Sequence, residues 1–131
     1  KYALVHDLIE VYAGDTFIYS TDKALLKSQT EREQAAAARL KKEFSEFADL
    51  HALVGEYERR ADKESKFVYA LDKVVPILNN YLDKGRMWKK NNVTLQMIID
   101  AKQSKAAVSS EVAGYFRELI ALLKEQEKEL F

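Results

Sequence analysis

The chain of 131 residues has no cysteine, one proline and four glycines. Without cysteine it can form neither disulfides nor thiolate metal sites. So little glycine and proline leaves few residues for tight hairpins, and no sustained period-two alternation predicts strands. Basic and acidic residues number 21 each, so no global field favours nucleic acid or an anionic membrane.

Long hydrophobic runs are also absent. No stretch approaches the ~20 apolar residues that cross a bilayer, and no signal-peptide pattern is present. We therefore expect a cytoplasmic protein that binds neither membrane nor nucleic acid polymer, in agreement with the missing cysteines. The apolar share of 47% is typical of an ordinary globular protein, and the length suits one domain spanning 1–131.

Helical periodicity dominates the sequence and predicts an all-α fold. A first helix is expected over Tyr2–Tyr12, ended by Gly14 as a left-handed cap, and a loop over 15–28 with a short helical turn at 23–27. A further loop is expected over 87–93. The other helices are predicted near 31–43, 44–60, 62–82, from Thr94 onward, and from Ser109 or Ser110 to a fraying tail after Leu123.

Caps and apolar stripes sharpen these boundaries. Thr30 and Glu33 are spaced as a capping box, and Asp62 is placed to cap the longest helix. Two buried faces are predicted from apolar spacing. The first comprises Phe47, Leu50, Val54 and Tyr57, and the second Phe67, Leu71, Val74, Leu78 and Leu82.

A histidine and two acids lie in an otherwise apolar run near the start of the chain. On a continuous helix His6 and Glu10 are four apart and Asp7 and Glu10 three apart, so the side chains would converge. Imidazole and carboxylate are ligands that divalent first-row metals accept. A bound cation would activate water, and Glu10 would orient or deprotonate it. Ordinary surface acids on a partly exposed helix explain the same residues equally well.

Asp72 lies in the most apolar helix, where an aspartate is rarely left unpaired. Its partner is either a metal ion or a cation such as Lys73. Pro76 removes the backbone hydrogen bond to the Asp72 carbonyl, so the helix is expected to bend there.

Two other residues invite functional readings. Trp88, beside Lys89 and Lys90, suggests either nucleic-acid contact or a loop aromatic anchoring the core, and the core is favoured. His51 borders an apolar stripe and is interpreted as a boundary or surface residue instead of a ligand.

The run His6-Asp7-x-x-Glu10-x-x-x-Gly14-Asp15, followed by 70–73 (Ala-Leu-Asp-Lys), resembles the HD-domain metal-dependent phosphohydrolases. Within them it is most similar to the branch of the 5′-deoxynucleotidases. The resemblance covers nearly the whole chain. It extends to Arg32-Glu33, Lys66-Phe67, Asn80-Tyr81-Leu82 and Trp88 before Val93-Thr94.

The resemblance implies an all-α bundle of five to six helices that is usually dimeric. It implies His6, Asp7 and Asp72 as metal ligands, with Glu10 and Asp15 as catalytic residues. The cofactor would be a divalent cation (Mn, Co, Mg, Ni, Fe or Zn). The substrate would be a small-molecule nucleotide, a nucleoside 5′-monophosphate. Lys73 would hold phosphate or pair with a neighbouring acid.

One family feature cannot be matched. These enzymes take another metal-binding histidine from a helix preceding the HD pair, and nothing precedes Lys1. We therefore expect that N-terminal helices are missing and that three of four ligands are present. Two alternatives stay open: a catalytically incomplete helical module for dimerisation or partner binding, and a hydrolase of alarmones or cyclic nucleotides.

Overall fold

The computed structural model describes residues 1–14, 19, 24 and 27–131, and within these ranges all regular structure is α-helical. The predicted all-α fold is confirmed. The predicted loop over 15–28 and its turn at 23–27 lie largely outside the described residues. The chain divides into two compact units, Lys1–Ala61 and Asp62–Phe131.

Within the described residues, the first unit contains two short helices and two longer ones. They are α1 (Tyr2–Val5), α2 (Glu10–Ala13), α3 (Gln29–Glu43) and α4 (Ala48–Arg59). Helix α1 packs on α4, and α2 packs on α3. The sequence predicted one helix over Tyr2–Tyr12, which is wrong because the chain turns between α1 and α2.

The chain remains helical in handedness through the turn between α1 and α2, but its hydrogen bonds differ from those of an α-helix. The Leu8 amide donates to the Val5 carbonyl (3.2 Å) and the Glu10 amide to the Asp7 carbonyl (3.0 Å), each spanning three residues. The Ala3 carbonyl, which a continuous helix would pair with the amide of residue 7, accepts a hydrogen bond from the His6 ring (3.0 Å). Side chains that bond nearby backbone in this way compete with the helix. The histidine of the motif therefore helps to interrupt the helix that carries it.

Two predictions at the ends of α3 and α4 are corrected. Helix α3 already begins at Gln29, whose side-chain amide donates to Glu33 (2.8 Å), so the predicted capping box of Thr30 and Glu33 is wrong. Helix α4 begins at Ala48 because the preceding four residues form a turn. The His51 Nε2–H donates to the Phe44 carbonyl in that turn (2.7 Å).

The predicted inner face of α4 is half right. Val54 and Tyr57 are buried, and Leu50 is partly covered. Phe47 precedes the helix and is 53% exposed, so its place in the stripe is wrong.

Polar contacts fix α2 along α3. The Arg32 guanidinium donates to the Ala13 carbonyl at the end of α2 (2.6 Å). The Tyr12 hydroxyl donates to Glu43, which also accepts from Arg39 (2.7 Å). The Arg39 guanidinium lies 4.1 Å from the centroid of the Tyr12 ring, a cation–π contact. The helix that follows the HD pair is thus held at several points.

The second unit is built around three longer helices and closed by two short ones. They are α5 (Lys63–Leu82), α6 (Arg86–Lys90), α7 (Leu95–Ala106), α8 (Ser110–Glu125) and α9 (Glu127–Leu130). Helices α5, α7 and α8 pack on one another. The residues buried on α8 include Phe116, Leu119, Ile120 and Leu123.

The predicted cap Asp62 is confirmed, as are the predicted helix starts at Thr94 and at Ser109 or Ser110, where Thr94 and Ser109 are the caps. The Asp62 carboxylate accepts from the Ser65 amide (2.7 Å), the Thr94 hydroxyl from the Met97 amide (3.2 Å) and the Ser109 hydroxyl from the Val112 amide (3.4 Å). Each side chain satisfies an amide that the first helical turn leaves unpaired. The predicted loop over 87–93 is partly wrong, because α6 occupies its first half.

The inner stripe predicted for α5 is wrong in phase. Of its five members only Val74 is buried, and the other four are 38–69% exposed. The core takes the adjacent stripe of Ala70, Val74 and Ile77. The alanine lets the neighbouring helices approach closely, which a larger residue would prevent.

No helix within the described ranges is both long enough and apolar enough to cross a bilayer.

The last residues of the described chain fold back onto α6. Leu130 is buried, and the Phe131 ring stacks on Trp88 with centroids 4.8 Å apart. The predicted fraying tail is therefore wrong, whereas the interpretation of Trp88 as a core anchor is confirmed. Gly85 has a φ of +67°, and a Cβ on it would lie 2.8 Å from the carbonyl carbon of Leu130.

Candidate metal centre

His6 lies in the turn after α1 with its ring held by the backbone. Its Nδ1 is 3.0 Å from the Ala3 carbonyl oxygen, which can only accept, so the ring proton is assigned to Nδ1. The ring lone pair is then on Nε2. Histidines that bind metals are commonly oriented in this way, with the second ring nitrogen donating to a carbonyl.

The Asp7 carboxylate lies beside His6 Nε2. Its Oδ2 lies 3.2 Å from His6 Nε2, and the side chains of His6 and Asp7 are 24% and 59% exposed. Two atoms that each present a lone pair repel one another at this distance unless a positive charge lies on or between them. A cation that binds both atoms would supply that charge.

Glu10 is the first residue of α2 and is exposed. The sequence argument for its convergence with His6 assumed a continuous helix, so that convergence stays a prediction. The Gly14 amide donates to the Glu10 carbonyl (2.8 Å) and ends α2. Gly14 has the expected positive φ of 74°, but its ψ of 151° is extended and not left-handed helical. Asp15 lies outside the described residues.

Asp72 belongs to the second unit, in the middle of α5. Its Oδ2 lies 2.6 Å from the Lys73 Nζ, and each side chain is 26% exposed. The ion pair considered from the sequence is thus present, and Asp72 is only partly buried. Both α5 residues on either side of Pro76 remain helical, while the expected bend stays a prediction. A carboxylate has about four lone-pair positions, so it can bind more than one cation.

The sequence indicates no functional role for two residues that lie near these candidates. Lys105, on α7, has its pKa lowered by burial and then by the positive charge of Lys73. Tyr57, on α4, is 4% exposed and sets its ring against His6, with centroids 6.2 Å apart and an interplanar angle of 80°. Apolar spacing identified Tyr57 as a packing residue without indicating what it packs against.

Comparison with known proteins places these residues in a family. A family model described as the HD domain matches residues 1–113. A search of curated proteins finds no match. Among solved structures, a predicted metal-dependent phosphohydrolase from Magnetospirillum magnetotacticum MS-1 is similar, with 33% identity and a TM-score of 0.73. The similarity covers 94% of this chain and 62% of that one, so the chain spans under two thirds of the relative's length. Because the family model matches most of its 131 residues, this chain belongs to the HD-domain family.

Proposed function

We propose that this chain is the HD domain of a metal-dependent phosphohydrolase and that His6, Asp7 and Asp72 bind one divalent cation. Each of the three side chains offers a ligand atom suited to such an ion. The observation that carries the proposal is the orientation of the His6 ring, with Nδ1 on the Ala3 carbonyl and Nε2 facing Asp7. That orientation lets both atoms serve as ligands of one cation.

The donor set fits a divalent cation. One imidazole nitrogen and carboxylate oxygens, without thiolate, suit Mn, Co, Mg, Ni, Fe or Zn. When bound, such an ion polarises a phosphoryl oxygen and brings the pKa of a coordinated water toward neutrality. The partial exposure of His6 and Asp7 keeps both within reach of solvent and of a small substrate.

Two acids that follow the His-Asp pair in sequence, Glu10 and Asp15, supply the proton transfers of the proposed hydrolysis. Glu10, exposed at the start of α2, takes a proton from the attacking water. The water oxygen forms a bond to phosphorus, and the bond from phosphorus to the 5′ oxygen breaks in line. Asp15 enters the reaction protonated and gives this proton to the departing 5′ oxygen, which releases nucleoside and phosphate. The proton taken by Glu10 returns through solvent to Asp15.

The substrate class rests on the spacing of the HD motif, which is similar to that of the 5′-deoxynucleotidases. The solved relative supports the coarser statement, a phosphohydrolase that depends on metal. We accordingly propose a nucleoside 5′-monophosphate as substrate. The same resemblance supports a homodimer. The balanced charge and the short apolar runs of the sequence are the basis for proposing a cytoplasmic protein that binds no nucleic acid polymer and no membrane.

The test is phosphate release from a panel of nucleotides with Mn²⁺ or Co²⁺. The panel holds ribo- and deoxynucleoside 5′-monophosphates, a cyclic nucleotide and an alarmone. We expect turnover of the monophosphates, and its loss in Asp72→Asn but not in the control Asp100→Asn, an exposed aspartate of α7. Turnover confined to the alarmone or the cyclic nucleotide would move the substrate class. Metal binding without any turnover would leave a helical module and no hydrolase.

A further inference from the structure

Within the first unit the His6 ring contacts the ring of Tyr57, which in turn contacts the ring of Tyr2. The Tyr57 ring stands nearly perpendicular to the His6 ring, and the Tyr2 ring lies 6.1 Å from Tyr57 at an angle of 41°. The Tyr2 hydroxyl donates to Glu56, the neighbour of Tyr57 on α4 (3.4 Å). Helices α1 and α4 are thus joined by rings where His6 leaves α1.

The His6 ring needs such support because its backbone gives little. His6 occupies a turn between two four-residue helices, where the bonds between Val5 and Leu8 and between Asp7 and Glu10 span three residues. The bond from Nδ1 to the Ala3 carbonyl restrains one point of the ring but permits rotation about that contact. The edge-to-face contact with Tyr57 restrains the second direction.

Tyr57 is suited to this role because it is itself fixed. It is 4% exposed, lies on the twelve-residue helix α4 and follows Val54 on the same buried face. A planar side chain with two torsion angles loses little further freedom when it serves as a wall.

We propose that Tyr57 is a positioning residue that fixes the ring plane of His6, so that Nε2 is aimed at the cation in advance. This inference rests on the proposed function for the identity of the cation. We assign this role to the aromatic ring of Tyr57, which is the part that contacts His6. Residues that orient a metal ligand typically change metal affinity by about 10- to 100-fold when removed.

The test compares Mn²⁺ affinity by calorimetry in the wild type and in three variants. Tyr57→Leu removes the planar ring and should weaken binding about tenfold. Tyr57→Phe keeps the ring that contacts His6, so it should bind within about twofold of wild type and not show the loss of about tenfold. Tyr115→Leu, at a ring that is 64% exposed on α8, is the matched control and should also bind as wild type does.

A second measurement needs no metal, and its wild-type part does not depend on the folding of Tyr57→Leu. The chain has only two histidines, so the ring nitrogens of His6 are readily distinguished from those of His51 by NMR. At about pH 8.5, where an ordinary histidine is neutral, wild-type His6 should be the Nδ1–H tautomer with cross-relaxation to the Tyr57 ring protons. In Tyr57→Leu the His6 signals should become a mixture while those of His51 stay unchanged.

The outcomes separate this inference from the proposed function. If the wild type binds no divalent cation, the proposed metal site fails, whereas the NMR comparison still decides what Tyr57 does. If the wild type binds Mn²⁺ and Tyr57→Leu binds it equally well, Tyr57 is a packing residue only. The positioning role is also overturned if Tyr57→Phe is as weak as Tyr57→Leu, or if no cross-relaxation joins the two rings.

Discussion

The hydroxyl of Tyr12 donates a hydrogen bond to the carboxylate of Glu43, which lies 31 residues further along the chain. This bond raises the pKa of Tyr12. It also lowers the pKa of Glu43, to which the hydrogen bond from Arg39 adds. The helix that follows the HD pair is therefore fastened to α3 by groups that titrate at opposite ends of the pH scale.

Tyr12→Phe should lower the melting temperature by a pH-dependent amount. The lowered pKa of Glu43 gives stability that is present above its unfolded value of about 4.3 and lost as the pH falls through the folded value. The raised pKa of Tyr12 gives stability that is present below about 10 and lost as the pH rises through the folded value. Both groups are exposed, so the effect is small. Thermal unfolding by circular dichroism should show the largest difference near neutrality; an equal difference at about pH 3 would contradict the assignment.

His6→Gln should lower the affinity for Mn²⁺ by about 100-fold or more, because it removes the only nitrogen ligand proposed for the site. His51→Gln is the matched control, since its Nε2 is already bonded to the Phe44 carbonyl. Isothermal calorimetry on both variants measures the affinities directly. Equal affinities would exclude His6 as a ligand.

Lys73→Met should strengthen metal binding by about 3- to 10-fold. The ammonium of Lys73 occupies Oδ2 of Asp72 at 2.6 Å and repels a second cation at the same carboxylate. Lys124→Met, in the exposed last turn of α8, controls for the change of net charge. A fall in affinity in Lys73→Met alone would show that Lys73 supports the site and does not compete with it.

Gly85→Ala should destabilise the protein by roughly 2–3 kcal/mol, because a Cβ at a positive φ is strained and would press against the Leu130 backbone. Gly114→Ala is the opposite case. Among the described residues, no atom other than the adjacent residues and the local helix backbone lies within 4 Å of a Cβ there, inside α8, so this change should stabilise by about 0.5–1 kcal/mol. Urea unfolding followed by Trp88 fluorescence, the single tryptophan, measures both. Similar effects of the two substitutions would contradict the described contact.

The sequence predicts well those features that depend on a few adjacent residues. Asp62, Thr94 and Ser109 cap helices as expected because a cap bonds an amide only three residues away. The orientation of the His6 ring was not predictable, because it depends on the Ala3 carbonyl and on a tyrosine from another helix.

The sequence predicts poorly where two local solutions compete. The Glu33 side chain had two possible hydrogen-bond partners, and it accepts from the Gln29 side chain instead of forming the capping box with Thr30. Helix α5 offers two adjacent apolar stripes, and periodicity alone does not choose between them. The choice falls on the stripe containing Ala70, because close packing of three helices favours a small residue at their contact.

The stripe of α5 that the core leaves uncovered affects how the protein behaves at high concentration. Leu78 and Leu82 are 42% and 69% exposed, one helical turn apart. Replacing both leucines with glutamine removes exposed apolar surface without creating a cavity. The double variant should therefore precipitate more slowly in storage and in crystallisation trials.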